Sequence, residues 1–182
     1  MRVLILISFI IANFFSFSQD TFTSIRSGNW DDPTSVIPSA TTPWSYTGSD
    51  ADGIPDSDDI VIIKPNHTVV SSNSGYTRAT TLTIENLGIL ILDPAPANQL
   101  LVNNITNDGT INGPGIFRPL GSIINGSGIF SNVDLTKIST NISINGDFEF
   151  NDILITGGAD LLINNSKTLT VSNSLVLGTA LS

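Results

Sequence analysis

The sequence predicts an all-β fold, namely a single-stranded β-solenoid of the right-handed parallel β-helix type with coils of about 20 residues. The first observation behind this prediction is composition. Ile, which favours strands, occurs 25 times and Asn, which favours turns, occurs 18 times, whereas Ala, Glu, Lys and Gln together supply only 15 of the 182 residues. The second observation is a repeat in which short apolar runs end in Asn at nearly constant spacing.

The repeat consists of five-residue segments, most of which read apolar-x-apolar-x-Asn. Their Asn residues lie 20, 18, 21, 20 and 20 positions apart and are Asn66, Asn86, Asn104, Asn125, Asn145 and Asn165. A second series follows about seven positions later and comprises Asp93, Asn112, Asn132, Asn151 and Asn173. We expect the first series to form structural corners, because Asn tolerates left-handed backbone and its amide can bond along the stack. A two-sheet β-sandwich is the alternative fold, but it gives no reason for a fixed period.

Residues 1–18 have the features of a cleaved signal peptide. Arg2 supplies a positive start, residues 3–17 are mostly apolar, and Ser16 and Ser18 are small residues at the expected cleavage site. We therefore expect a protein that is secreted or held at the cell surface. After removal of the signal, no other segment is long and apolar enough to insert into a membrane.

The mature chain divides into two regions of different character. Residues 19–59 contain both Trp and half of the acidic residues, and they predict an N-terminal capping segment with an acidic loop. Residues 60–182 carry the repeat and predict the β-solenoid. Because residues 174–182 are apolar and uncharged and contain no terminal cap, we expect the solenoid to be truncated here and to continue in a longer parent protein.

Several motifs in the first half of the chain resemble the G8 domain. They are SGNWDDP (residues 27–33), GIPDSDDIVI (53–62), NHTV (66–69), TLTI (81–84) and GILIL (88–92). The resemblance covers about residues 27–113. It implies a β-rich extracellular module of secreted or surface bacterial β-solenoid proteins, without catalysis of its own.

The acidic loop, residues 48–59, is a candidate calcium site. On the twelve-residue calcium-loop pattern, the ligand positions 3, 5, 9 and 12 are occupied by Asp50, Asp52, Asp56 and Asp59. Five carboxylates within this short loop repel one another, and a calcium ion would relieve that repulsion. The alternative is a solvated loop that turns the chain into the next strand. Calcium is the one cofactor that the sequence suggests.

Other features exclude or weaken several functional classes. The chain has no Cys and one histidine, His67, which lies in a turn where the G8 resemblance implies a structural residue. A net charge of −9 with scattered bases argues against nucleic acid as a partner. Asp147 and Glu149 share a strand face near Asp152 and could form an acid–base pair acting on a glycosidic bond. The other interpretation is a polar outer face above buried phenylalanines.

The aromatic residues concentrate in the first third and include Trp30, Trp44, Tyr46 and Tyr76. Exposed, they could stack on sugar rings; buried, they would plug one end of the solenoid. We expect a non-enzymatic exported module that serves adhesion, carbohydrate binding or structural spacing, with an extracellular polysaccharide or surface glycan as partner. The alternative is a polysaccharide-degrading β-helix enzyme or its accessory module. Ice binding ranks last, because Thr-x-Thr pairs do not occur in every coil.

Overall fold

The computed structural model describes residues 19–33, 42–48, 52–71, 75–93 and 98–178. Within these ranges the chain is all-β, and no helix is present that could cross a membrane. The predicted signal peptide, residues 1–18, lies outside the described residues. The strands are β1 (Thr21–Ser24), β2 (Gly28–Asn29), β3 (Trp44–Thr47), β4 (Ile60–Ile63), β5 (Thr68–Val70), β6 (Tyr76–Ile84), β7 (Ile89–Ile91), β8 (Gln99–Asn107), β9 (Thr110–Asn112), β10 (Ile116–Pro119), β11 (Ile123–Asn125), β12 (Ile129–Ser131), β13 (Asp134–Ile138), β14 (Ile142–Asn145), β15 (Phe148–Thr156), β16 (Leu161–Ile163) and β17 (Leu169–Leu177).

The strands stack in parallel on three faces, which confirms the predicted β-solenoid. Face I comprises β1, β4, the second halves of β6 and β8, and then β11, β14 and β16. Face II comprises β2, β5, β7, β9 and β12. Face III comprises the first halves of β6 and β8, then β10 and β13, and the second halves of β15 and β17. The longest strands serve two faces because they continue around a corner.

The coil length varies along the stack. On face I the paired residues lie 21, 23, 19, 20 and 19 positions apart in successive coils. Alternate side chains of each strand point inward and stack on those of neighbouring coils. One such column consists of Phe22, Val61, Leu82, Ile105, Ile124 and Ile144, each at most 2% exposed. Burying each aliphatic side chain contributes about 1.5–3 kcal/mol, so these columns are the main source of stability.

The varying coil length explains why the six Asn residues do not share one corner, which corrects the sequence-based prediction. Asn66 has a left-handed backbone (φ 63°). Its backbone N–H donates to the carbonyl of Leu87 (φ 67°), so the residue that stacks on Asn66 in the next coil is Leu87 rather than Asn86. Asn104 lies inside β8 and pairs with Thr81, the first residue of the face I strand in the preceding coil. The interval from Asn86 to Asn104 is shorter than this coil, which extends from Thr81 to Asn104, and the two Asn residues are therefore out of register.

The later half of the Asn series does stack. Asn125 pairs with Asn145 of the next coil. In the next pair of coils, Ile144 pairs with Ile163. Asn164 rather than Asn165 therefore continues the column, one position away from our prediction. Neither Asn125, Asn145 nor Asn165 has a left-handed backbone. Of the six Asn residues, Asn66 alone therefore has the conformation that we predicted.

The N-terminal end of the stack is closed by aromatic residues. β3 runs antiparallel to β1, and the Trp44 side chain is 2% exposed. Trp30, 1% exposed, packs edge-on against Trp44 with ring centroids 5.4 Å apart, and Phe22 stacks on Tyr46 at 5.3 Å. Both indole N–H groups donate to backbone carbonyls, so the aromatic plug satisfies its own buried donors.

The segment predicted as a cap also supplies the first strands of the solenoid. β1 pairs in parallel with β4, and β2 pairs in parallel with β5. The sequence boundary at residue 60 therefore separates strands that belong to the same stacks. Residues 52–59 of the acidic loop lie beside the first strand of face III, where the Asp59 carbonyl accepts hydrogen bonds from the amides of Thr80 and Thr81.

Candidate functional site

Among the described residues, the outward side of face I carries no charged side chain at any of its eight levels, and we call it the uncharged face. Its strands include β3, which extends the sheet beyond β1. The first column of outward side chains consists of Thr47, Thr21, Ile60, Thr81, Asn104, Ile123, Ser143 and Leu162. The second column consists of Ser45, Thr23, Ile62, Thr83, Thr106, Asn125, Asn145 and Asn164. Neighbouring levels lie about 4.8 Å apart, so these side chains form a regular two-column array of hydroxyl, amide and methyl groups.

An amide ladder occupies the C-terminal part of the second column. The side-chain amide of Asn145 donates to Oδ1 of Asn125 at 2.8 Å, and that of Asn164 donates to Oδ1 of Asn145 at 3.3 Å. The Oγ of Ser143 in the first column contacts Oδ1 of Asn164 at 3.0 Å. These bonds fix the side-chain rotamers, so the array presents its polar groups in defined positions.

Charged side chains lie at the corners beside this face. Lys64 and Glu85 form an ion pair at 2.5 Å between successive coils at the corner of faces I and II. Asp108, in the next coil, accepts hydrogen bonds from the amide and hydroxyl of Ser127 at the same corner. These charges therefore border the uncharged face without occupying it.

Lys137 is a buried cation that the sequence-based predictions did not include. It is 2% exposed and points inward from β13, where its Nζ donates to the carbonyls of Pro119, Leu120 and Gly121 at 2.8, 3.2 and 2.5 Å. Burial lowers the pKa of its ammonium group. The sequence signal was the alternation in β13, which places Lys137 on the same side as the buried Leu135.

The structure brings together only part of the predicted calcium set. Asp50 lies outside the described residues, and Asp52 instead caps the amide of Ile54 at 2.9 Å. Carboxylate oxygens of Asp56, Asp58 and Asp59 lie within 4.8 Å of one another. Asp58 was not among our predicted ligands, although two adjacent acidic residues at the end of the loop were a visible signal.

Backbone donors already use part of this acidic cluster. Asp59 accepts from the amide of Asp56 at 2.7 Å, and Asp56 accepts from the amide of Asp58 at 3.1 Å. The pKa of Asp56 is raised, first by a side-chain hydrogen bond with Asp58 and then by desolvation. These contacts fold the loop into tight turns, as in the solvated-loop interpretation, and they keep the carboxylates close to one another.

His67 and Ser24 form a hydrogen-bonded pair that does not have the geometry of an exposed nucleophile. The Oγ of Ser24 lies 2.8 Å from Nδ1 of His67 and accepts from the amide of Lys64 at 2.8 Å. Ser24 is 2% exposed. The pair ties the end of β1 to the corner between β4 and β5, which is consistent with the structural role implied for His67.

Asp147 and Glu149 line one cleft of about 370 Å³ together with Thr168 and Thr170. β12 ends the face II sheet here, and the first half of β15 pairs with β17 instead. Asp147 accepts from the amide of Thr168 at 2.7 Å, and Glu149 bonds to the hydroxyl of Ser172. Asp152 lies apart from this cleft and accepts from the side-chain amides of Asn151 and Asn173.

Comparisons with protein-family models, with curated proteins and with solved structures found no match for this chain.

Proposed function

We propose that this chain is a non-enzymatic, exported β-solenoid module that binds a neutral extracellular polysaccharide on its uncharged face and holds it at a fixed distance from other parts of the protein. The observation that carries the proposal is the absence of charge from all sixteen described outward side chains of that face, in a chain with 7 basic and 16 acidic residues. Binding to the two columns desolvates no ionic side chain of the columns themselves, while Asp160 borders the face beside Ser143 and Leu162.

The chemistry of the face favours a neutral sugar polymer. Threonine, serine and asparagine side chains offer donors and acceptors for sugar hydroxyls, while the methyl groups of Thr81, Ile60 and Ile62 offer apolar contact for C–H faces. A net charge of −9 disfavours acidic polymers. The proposed export rests on residues 1–18, and the proposed relation to the G8 domain rests on the sequence motifs.

A sedimentation assay tests this function. The chain is mixed with insoluble neutral polysaccharides, such as cellulose, chitin and xylan, and with an acidic one, such as pectate. We expect depletion from solution by at least one neutral polymer and none by pectate, with little change as salt is raised, because no ion pairs are involved. If no neutral polymer depletes the chain, or if binding is lost in salt, the proposal is wrong.

A second candidate function rests on the cleft between β12 and β15. Asp147 and Glu149 share this cleft, which is the arrangement expected of a polysaccharide-degrading enzyme. Against it, both carboxylates already accept hydrogen bonds within the protein, Asp147 from the amide of Thr168 at 2.7 Å and Glu149 from the hydroxyl of Ser172. Release of reducing ends from any neutral polymer, abolished in Glu149→Gln, would establish the enzymatic function in place of the binding module.

A further inference from the structure

A second cavity lies at the N-terminal end of the solenoid, away from the uncharged face, and we call it the cap pocket. It has a volume of about 380 Å³. Three segments meet there: the turn after β2, the acidic loop and the first half of β6. Its lining residues are Trp30, Asp31, Ile54, Pro55, Asp56, Tyr76 and Arg78.

The walls of the cap pocket are fixed in place by hydrogen bonds between segments. The indole of Trp30 donates to the carbonyl of Pro55 at 3.0 Å, which joins the acidic loop to the aromatic plug. The hydroxyl of Thr80 donates to the carbonyl of Ser57 at 2.7 Å, which joins the same loop to β6. Such a pocket needs little ordering when a ligand binds, which favours affinity.

The functional groups in the pocket are an aromatic ring, a guanidinium and two carboxylates. The Tyr76 side chain is 44% exposed, in contrast to the buried tryptophans, and the Arg78 guanidinium lies 4.9 Å from its ring centroid. Asp31 and Asp56 stand on the other walls. Arg78 already occupies the place of a cation on the ring, and the two carboxylates disfavour an anion.

We propose that the cap pocket binds a single neutral pyranose unit, a chemistry that rests on the proposed carbohydrate-binding function but uses a different site. A sugar ring presents C–H groups that pack on an aromatic ring and on apolar residues such as Ile54 and Pro55. Its vicinal hydroxyls can donate to the carboxylates of Asp31 and Asp56 and accept from Arg78. The solenoid would then hold a polymer along its side and a sugar unit at its end.

The test is a titration of the isotope-labelled chain with glucose, galactose, N-acetylglucosamine, the acidic galacturonate and the basic glucosamine, followed by amide and indole NMR signals. We expect a neutral sugar to shift the Trp30 indole and the Tyr76 and Arg78 amide signals with a Kd of about 1 mM. Arg78→Leu should weaken this binding by about tenfold or more. Arg118→Leu, which changes the same outward column of face III two levels away, should alter it by less than about twofold.

Three outcomes would overturn the assignment. They are the absence of shifts with every neutral sugar, stronger binding of galacturonate or glucosamine, and equal weakening in Arg78→Leu and Arg118→Leu. Asp31→Asn provides a second variant in case Arg78→Leu fails to fold. Thr83→Lys, on the uncharged face, should leave the sugar titration unchanged. If this variant no longer sediments with the polymer but still binds the sugar, the two sites act independently. Failure of the proposed function can then be distinguished from failure of the cap pocket.

Discussion

Asn145 links its own coil to both neighbouring coils through its side chain: its Nδ2 donates to Oδ1 of Asn125 at 2.8 Å, and its Oδ1 accepts from Asn164. The ladder forms because two successive coils have nearly equal length, which places the amides in one column of the same face. The longer coil from Thr81 to Asn104 instead pairs a threonine hydroxyl with an asparagine amide in the neighbouring coil.

The first prediction concerns this ladder. Asn145→Val should lower the free energy of unfolding by about 1–2 kcal/mol, because it removes two inter-coil hydrogen bonds. The matched control is Asn165→Val, which lies one position outside the ladder and should cost less than about 0.5 kcal/mol. Chemical denaturation measures both values. Equal losses in the two variants would contradict the register described here.

The second prediction concerns Lys137. Lys137→Met should destabilise the chain by about 1–3 kcal/mol, because it leaves the carbonyls of Pro119, Leu120 and Gly121 without their shared donor. Lys167→Met, which removes a partly exposed lysine 3.9 Å from Asp147, should cost less than about 0.5 kcal/mol. Urea unfolding at neutral pH compares the two. A loss in Lys137→Met no larger than in Lys167→Met would contradict the buried role.

The pH dependence of Lys137 provides a third prediction. Burial lowers its pKa in the folded chain, so between that lowered pKa and the ordinary value of 10.5 the unfolded chain binds more protons. The free energy of unfolding should therefore rise with pH across this window. Lys137→Met should lack this rise, while Lys167→Met should keep it. Parallel pH profiles for the wild type and Lys137→Met would show that the ammonium is not destabilised by burial.

The fourth prediction concerns calcium at the acidic loop. If calcium binds, adding it should raise Tm and EDTA should reverse the change, because a ligand that binds only the folded chain stabilises it. Asp58→Asn should abolish the effect and Asp52→Asn should preserve it, since Asp58 and not Asp52 lies in the carboxylate cluster. The opposite pattern would support the ligand set predicted from the calcium-loop spacing. No calcium effect in the wild type would remove the site.

The raised pKa of Asp56 gives the same loop a pH signature. Folding favours the protonated carboxyl, so this contribution to stability is present below the ordinary pKa of 3.8 and is lost as the pH rises through the raised value. Asp58→Ala removes the side-chain hydrogen-bond partner, which is the largest cause of the raised pKa of Asp56, together with the like charge, and should flatten this part of the stability profile. Calcium should flatten it too, because the ion favours the unprotonated carboxylate of Asp56.

The fifth prediction tests the close approach of coils at the corner of faces III and I. A Cβ on Gly121 would lie 1.7 Å from the carbonyl oxygen of Asn103, so Gly121→Ala should cost more than about 3 kcal/mol or prevent folding. At Gly158, a Cβ would meet nothing within 4 Å, and only its φ of +74° opposes substitution. Gly158→Ala should cost about 1–2 kcal/mol. Circular dichroism and thermal melts distinguish these results.

The sequence was sufficient to predict the architecture because the signal for a solenoid is carried by many residues at once. Apolar alternation in strands such as Ile60–Ile63 and the approximate period survive errors of a few positions at any one corner. The predicted register between coils does not survive such errors. The segment between β7 and β8 is two residues longer than that between β5 and β6, and nothing in the sequence near Asn86 or Asn104 reports this difference.

The candidate site was only partly predictable for a related reason. Contacts such as that between Tyr76 and Arg78, two positions apart on one strand, follow from local alternation and could have been read from the sequence. The cap pocket could not, because Asp31 and Asp56 come from segments whose approach depends on the aromatic plug around Trp30. The uncharged face likewise became visible only after the register had placed its sixteen side chains in two columns.

The measurement that tests the central claim most directly is sedimentation of charge-insertion variants with the neutral polysaccharide that binds the wild type. Thr83→Lys places a cation in the middle of the uncharged face, and Thr136→Lys makes the same change on the outward side of face III. We predict that Thr83→Lys loses binding by about tenfold or more, while Thr136→Lys binds within about twofold of the wild type. Equal binding by the wild type and Thr83→Lys, with both variants folded, would contradict the proposal that the uncharged face is the binding surface.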